Sequence, residues 1–202
     1  MAKVNRDDVD KFHDYGLYIP KRVLYMGSED ISMEHGESGV DGLMAERIIK
    51  NMSLLDSINN EPITIIMNNP GGDWYHGVGI YDAIKNAKSH VTIKVLGMAM
   101  SMGSVILQAA DDRIIAPSAK MMIHYGETGI PETHSKNVKK WADENDRINV
   151  EMENIYMEKM KVKNPELKLK QLQKMLNFDT ILSAKEAVDL GLADKIIGEE
   201  NE

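Results

Sequence analysis

Residues 91–110 read VTIKVLGMAMSMGSVILQAA, and the parsing of this stretch decides the fold. Thr92 to Leu96 is β-branched and aliphatic, the composition of a buried strand. Ser104 to Ala110 holds small and aliphatic residues with no glycine or proline and suits a short buried helix. Between them, at 97–104, stands GMAMSMGS. That segment is too apolar for a surface loop and too rich in glycine for a plain core strand. It places Ser101 among glycine, alanine and methionine, at the point where a strand ends and a small-residue helix begins.

The pattern continues outward on both sides. Val40 to Ile58 reads as an amphipathic helix, with Met44, Ile48, Met52, Leu55 and Ile58 at steps of three and four. Ile63 to Met67 is a short β-branched run that stops at Asn68-Asn69-Pro70-Gly71-Gly72. A helix with Val78, Tyr81 and Ile84 on one face follows it. Beyond the central stretch, Arg113 to Ala116 and Met121 to His124 are two more short strands. Strands alternating with helices imply an α/β fold built on a largely parallel sheet with crossover helices.

The carboxyl-terminal third differs. Ser135 to Lys163 is highly charged, with Val138, Trp141, Ile148, Met152 and Ile155 forming an apolar helical stripe. Asn164-Pro165-Glu166 reads as a helix start. Ser183 and Glu186 have capping-box spacing, and Gly191 closes that helix. A long helical arm that leaves the sheet after His124 and returns near Asp179 is the economical reading.

Composition narrows the function classes. The chain has 202 residues, 43% of them hydrophobic, which suits a single sizeable α/β domain spanning 1–202. The net charge of −8 gives little support to nucleic-acid binding. Cysteine is absent, which excludes disulfides, thiol nucleophiles and Cys-ligated metals. The polar start MAKVNRDDVDKFHDYG is unlike a signal peptide, and no apolar run reaches the ~20 residues of a membrane span. A soluble cytoplasmic protein is the expectation. The fifteen methionines read as core filler.

Two turns invite a catalytic reading. Ser101 at a helix start would sit beside backbone N–H groups, and small neighbours would let a substrate backbone come close. Pro70-Gly71-Gly72 is a second strand-to-helix turn whose glycines could aim bare N–H groups at an oxyanion. A nucleophilic serine needs a base, and of the six histidines only His124 ends an apolar run, MMIH. His76, after Trp74-Tyr75, reads as structural. No HExxH-like spacing suggests a metal, and no cofactor is expected.

Taken together, NPGG at 69–72, GxAxSMG at 97–103, MIH at 122–124 and FDxxLSAxEA at 178–187 resemble the ClpP family, the proteolytic subunits of the caseinolytic Clp protease. The likeness runs from about Ile63 to Ile197 in the right order. It implies a ClpP/crotonase-like fold of repeated β-β-α units with a protruding helical handle at about 126–176, preceded by an amino-terminal segment at 1–22. It further implies a serine endopeptidase working inside a ring-shaped homo-oligomer of stacked heptamers. By position Ser101 resembles the nucleophile, His124 the general base and Asp179 the acid that orients it. Gly72 and Met102 take the places of the oxyanion-hole donors. The partners so implied are further copies of the chain, a peptide or unfolded-protein substrate, and a Clp-type ATPase unfoldase whose use the sequence leaves open.

The sequence also departs from the family. YGETGIPETHSKN at 125–137 has fewer glycines than the usual groove strand, and it carries Pro131, which removes a backbone donor. Phe178 and Thr180 flank Asp179 where relatives often place arginine. HGESGVDG at 35–42 looks like an insertion, and Phe12 to Met26 is only loosely similar. Such divergence would suit a phage-encoded or accessory member. Two other readings stay open: a non-catalytic ring subunit, and a crotonase-type acyl-CoA enzyme on the same fold.

Overall fold

Parallel strands need crossover connections, and the alternating segments supply them. In the computed structural model, which describes residues 5–27, 39–127 and 134–199, strands β2 (Val23–Gly27), β3 (Ile63–Asn69), β4 (Val91–Met100) and β5 (Asp112–Ile115) lie parallel and adjacent. Helix α2 (Gly42–Ile58) follows β2, and α3 (Trp74–Lys85) joins β3 to β4. A short β1 (Leu17–Tyr18) pairs antiparallel with β2 at one edge, and β8 (Lys195–Ile196) pairs with β5 at the other. Among the described residues no helix is long and apolar enough to cross a membrane. The Pro131 segment and residues 35–38 of the 35–42 stretch lie outside the described residues.

Helix α1 (Arg6–Tyr15) and β2 have no counterpart in the sequence reading. The signals for α1 are nonetheless present. Asn5 caps the Asp8 amide, Asp7 and Asp8 occupy the first turn, and Gly16 closes the helix at φ 61°.

β4 is the element on which the rest is arranged. It does not stop at Leu96 but runs four residues further into the glycine-methionine stretch. Its first half pairs with β5, from Thr92↔Asp112 to Val95↔Ile115. Its second half leaves β5 and pairs in parallel with β6 (Lys120–Ile123), Met98↔Lys120 to Met100↔Met122. The switch falls at Gly97, whose φ is +91° and whose absent Cβ would lie 2.5 Å from Asn68 Oδ1. On the other side the register with β3 slips, from Met67↔Val95 to Asn69↔Ala99, a bulge that bends the strand out of the main sheet. β6 then pairs antiparallel with β7 (Thr180–Ser183). Helix α4 (Met102–Leu107) begins two residues earlier than its sequence suggests, and residues 108–110 turn instead of continuing it.

The core fills with branched aliphatics and methionine. Ile63, Ile65 and Ile93 are fully buried, as are Met26, Met67 and Met121, so these methionines are packing. Ile58, placed on the buried stripe by periodicity, is the last residue of α2 and is 52% exposed.

The arm helix α5 (Ser135–Lys163) has 29 residues, roughly 43 Å at 1.5 Å per residue. Its buried seam is Met152, Tyr156 and Met160, at the i, i+4 spacing of one face. The predicted stripe shares Met152 with that seam. Val138 remains 42% exposed and Ile155 only partly buried. Asn164-Pro165-Glu166 does not start a helix. The Asn164 amide donates to Met160 O and closes α5, and Leu167 N donates to Asn164 O with Pro165 inside the turn. Helix α6 (Leu169–Leu176) starts later. Ser183 and Glu186 do form the capping box of α7 (Ala184–Asp189), and Gly191 follows at φ +78°.

Two tyrosines tie the arm to the body. Tyr156 is fully buried, and burial raises its pKa well above the ordinary tyrosine value. Tyr125 is raised chiefly by burial and then by its hydrogen bond to the Glu153 carboxylate. Both therefore favour the neutral phenol in the folded state relative to the unfolded chain. Their contribution to stability is fully present below pH ~10, where unfolded tyrosines ionise, and fades as pH rises further. In an alkaline titration followed by phenolate absorbance and circular dichroism, Tyr125 and Tyr156 should ionise last, together with loss of the fold. Their ionisation alongside exposed tyrosines in a still-folded protein would contradict this.

Candidate active site

Strand register brings the three side chains together. Ser101 and His124 follow the ends of the paired strands β4 and β6, where the last pair is Met100↔Met122. The Ser101 amide donates to Met122 O at 2.9 Å and locks the two ends side by side. β6 and β7 pair as Ile123↔Thr180, so the next residues in that antiparallel register are His124 and Asp179. Three segments far apart in sequence thus end at one point.

The contacts there are close. His124 Nδ1 lies 2.9 Å from Asp179 Oδ1, and His124 Nε2 lies 2.8 Å from Ser101 Oγ. A carboxylate only accepts, so Nδ1–H donates to Asp179. That leaves Nε2 free to accept the Ser101 hydroxyl proton in the neutral ring. His124 is largely shielded, with 20% of its side chain exposed, whereas Asp179 is 71% exposed in the single chain. The loop that holds it is braced by Thr180 Oγ1 donating to Met175 O, and by Tyr125 N donating to Leu176 O.

The elbow at Ser101 is strained. Its φ of 50° and ψ of −125° fall in a region that non-glycine residues avoid, at a cost of about 1–3 kcal/mol. Neighbouring glycines allow it. A Cβ on Gly71 would lie 2.5 Å from Ser101 Cβ and 2.7 Å from Met100 O, and one on Gly77 would collide with the Met102 side chain. Asn69, fully buried, steadies the turn by accepting the Gly71 amide on Oδ1 at 2.9 Å.

Two amides belong to residues that line one pocket with Ser101. Met102 is the first residue of α4, so its N–H has no helical acceptor. At six residues that helix is short, and the single N–H matters more than any macrodipole. Gly72 pairs with Val40 in an isolated bridge built from Val40 N to Gly71 O and Asp73 N to Val40 O, which leaves the Gly72 N–H outside both bonds.

Beside Ser101 and His124 opens a cleft of ≈ 520 Å³, whose lining includes Trp74, Trp141, Ile148 and Met152. The arm thus roofs the cleft, and Tyr75 OH reaches across to Glu144 at 3.3 Å. That the stripe of α5 faces this cleft could not be read from spacing, since a helical period marks an apolar face without naming its neighbour. His76 is exposed in the first turn of α3, and its amide donates to Asp73 Oδ1.

Comparison with known proteins agrees with the geometry. The family model described as Clp protease matches residues 30–200. The ATP-dependent Clp protease proteolytic subunit of Deinococcus radiodurans is 31% identical over 191 residues, covering 93% of this chain and 86% of that protein. Proteolytic subunit 2 of Prochlorococcus marinus is 33% identical over 180 residues, covering 88% of this chain and 81% of that one. The chain belongs to the Clp protease family. A solved ClpP1 point mutant from Listeria monocytogenes superimposes with a TM-score of 0.75 at 27% identity, covering 90% of this chain and 94% of that one. The fold is therefore the ClpP fold, and the enzyme class is that of the Clp serine peptidases. Membership in this family selects the peptidase over the acyl-CoA alternative.

The tight glycine packing yields a test. Gly71→Ala should push Ser101 away from His124 and cut labelling by a serine-directed phosphonate by at least tenfold, while Gly79→Ala, whose Cβ would meet only the flexible Ile49 side chain at 3.3 Å, leaves it nearly unchanged. Equal labelling of the two variants would show that the turn tolerates the methyl.

Proposed function

We propose that this Clp-family chain is a cytoplasmic serine endopeptidase in which Ser101 is the nucleophile, His124 the general base and Asp179 the residue that orients it. The observation that carries the reading is the continuous chain of contacts from Asp179 through His124 to Ser101, at 2.9 and 2.8 Å. Ser101 Oγ attacks the scissile carbonyl while His124 Nε2 takes its proton. His124 then donates that proton to the leaving amine, and a water repeats the sequence on the acyl-enzyme. Asp179 accepts from Nδ1–H throughout and stabilises the imidazolium. The Gly72 and Met102 amides are the donors to the oxyanion, supplied by backbone that is already fixed before substrate arrives.

The substrate on this reading is an extended peptide or unfolded protein that enters the cleft beneath the arm. The protein works as a ring oligomer, as the family does, and we take it to be two stacked sevenfold rings fed by a Clp-type ATPase. Exposed apolar side chains support the association: Val138 on the arm, and Phe178 and Ile181 where the arm returns, at 76% and 62% exposure. Leaving them wet costs ~25 cal/mol per Å² of apolar surface. Because Phe178 adjoins Asp179, contact between copies would also steady the acid, which is largely exposed in the single chain.

Ser101→Ala should remove peptide hydrolysis, with a loss of ~10⁴ to 10⁶ in rate, while circular dichroism and melting stay close to the parent. A mutant retaining a tenth of the activity would remove Ser101 from the mechanism. For assembly, Val138→Asp should reduce particle size in sedimentation and activity together, with moderate added salt doing little, since few charge pairs are involved. Full activity in a monomeric protein would overturn the ring requirement.

A further inference from the structure

Next to the elbow lies a buried polar chain that the triad does not use, built from Ser104 and Tyr156, neither of which lines the cleft. The Ser101 carbonyl accepts from the Ser104 amide at 2.9 Å and from Ser104 Oγ at 2.7 Å. Ser104 Oγ in turn lies 2.7 Å from the phenol of Tyr156 on the arm helix. A carbonyl can only accept, so the single Ser104 hydroxyl proton points to Ser101. The remaining bond must then run from Tyr156 O–H to the Ser104 oxygen. Both residues are wholly buried. Ser104 is held from its other end as well, because its carbonyl accepts from Gln108 Nε2 at 2.9 Å and Gln108 Oε1 accepts from buried Arg113.

Packing alone does not account for this arrangement. A phenylalanine would fill the space of Tyr156, and a buried hydroxyl is unfavourable unless it is bonded. The hydroxyl finds its bond in one place, the chain that ends on the Ser101 carbonyl. That carbonyl and the Met102 N–H belong to the same planar peptide group and point in opposite directions. Fixing the oxygen against the arm therefore aims the N–H into the cleft. Drawing electron density toward the oxygen also makes the N–H a stronger donor.

We propose that Tyr156 is a positioning residue for hydrolysis: acting through Ser104, it orients and polarises the Ser101–Met102 peptide whose N–H holds the oxyanion. This rests on the roles assigned to Ser101 and Met102 above. The contribution grows as charge develops on the substrate oxygen, so it belongs to the transition state rather than to substrate binding.

The test is steady-state hydrolysis of a short peptide by assembled Tyr156→Phe, Ser104→Ala and the double variant, with rates referred to active sites titrated by a phosphonate. Each single variant should lose about tenfold in kcat with KM changed less than about twofold, and the double should lose scarcely more than either, because one chain is cut at two points. Affinity for a peptide aldehyde, whose adduct with Ser101 carries the oxyanion, should fall by the same factor. Binding of the parent peptide in a Ser101→Ala background should be indifferent to Tyr156→Phe. An unchanged kcat in both single variants, a change confined to KM, or fully additive losses would overturn the proposal. Ser101→Ala assayed alongside separates the two levels. Activity persisting there removes the nucleophile assignment, whereas an inactive Ser101→Ala beside a full-speed Tyr156→Phe overturns the positioning role alone.

Discussion

The constraint on which this structure turns is the division of one strand between two neighbours. β4 is hydrogen-bonded to β5 along its first half and to β6 along its second. The change of partner at Gly97 is what carries the strand end out of the main sheet. Had β4 continued beside β5, Ser101 would have ended in a layer without histidine. By pairing with β6, it ends beside a strand that stops at Ile123 with His124 next in line. β7, antiparallel to β6, delivers Asp179 to the same place. The site is a consequence of hydrogen-bond register rather than of three independently positioned side chains.

Register alone would not hold a serine at φ 50°. The strain is stabilised by close packing that only small residues allow. Gly71 lies against the Ser101 side chain, Gly77 against the Met102 side chain, and Gly103 against Asn69. Each of these glycines makes room for backbone or side chain of a neighbouring turn. The buried Asn69 side chain then satisfies the Gly71 amide that the turn exposes. A free-energy cost of a few kcal/mol at the elbow is thus distributed over many contacts, none of which involves a charged group.

The arm contributes more than surface area. Its seam of Met152, Tyr156 and Met160 is buried against the body, and the part nearer its start roofs the cleft with Trp141 and Ile148. Glu153, buried on the same helix, accepts from Tyr125 and from Gln173 of α6. It therefore ties the residue after His124 to both arm helices. Arm position and site geometry are mechanically linked within a single chain, before any contact between copies is considered.

Much of this was legible in the sequence. Ser101 could be singled out because an apolar strand seldom runs into glycine, alanine and serine unless backbone must pack closely there, and His124 because it ends an apolar run. Pattern also located α2, β3, α3 and α5 closely, since amphipathic period and β-branched runs are local properties. The start of α6 was misread, because Asn164-Pro165 serves a turn as readily as a helix cap, and the choice lies with the preceding helix. Asp179 had no local signature, and only the family likeness singled it out. An aspartate beside a strand becomes a partner for histidine only through the β6–β7 register, a pairing across 55 residues. Ser104 and Tyr156 were invisible for the same reason. A serine in a small-residue helix and a tyrosine in a methionine seam each look like packing until α5 is laid against α4. The sequence by itself determined the strongly periodic helices and the β-branched strands, the small-residue elbow and the candidate serine and histidine, because these follow from side-chain size and spacing along the chain. Only the tertiary structure decided which carboxylate meets the imidazole and which hydroxyl backs the Ser101 carbonyl, because both depend on strand register and helix docking between distant segments.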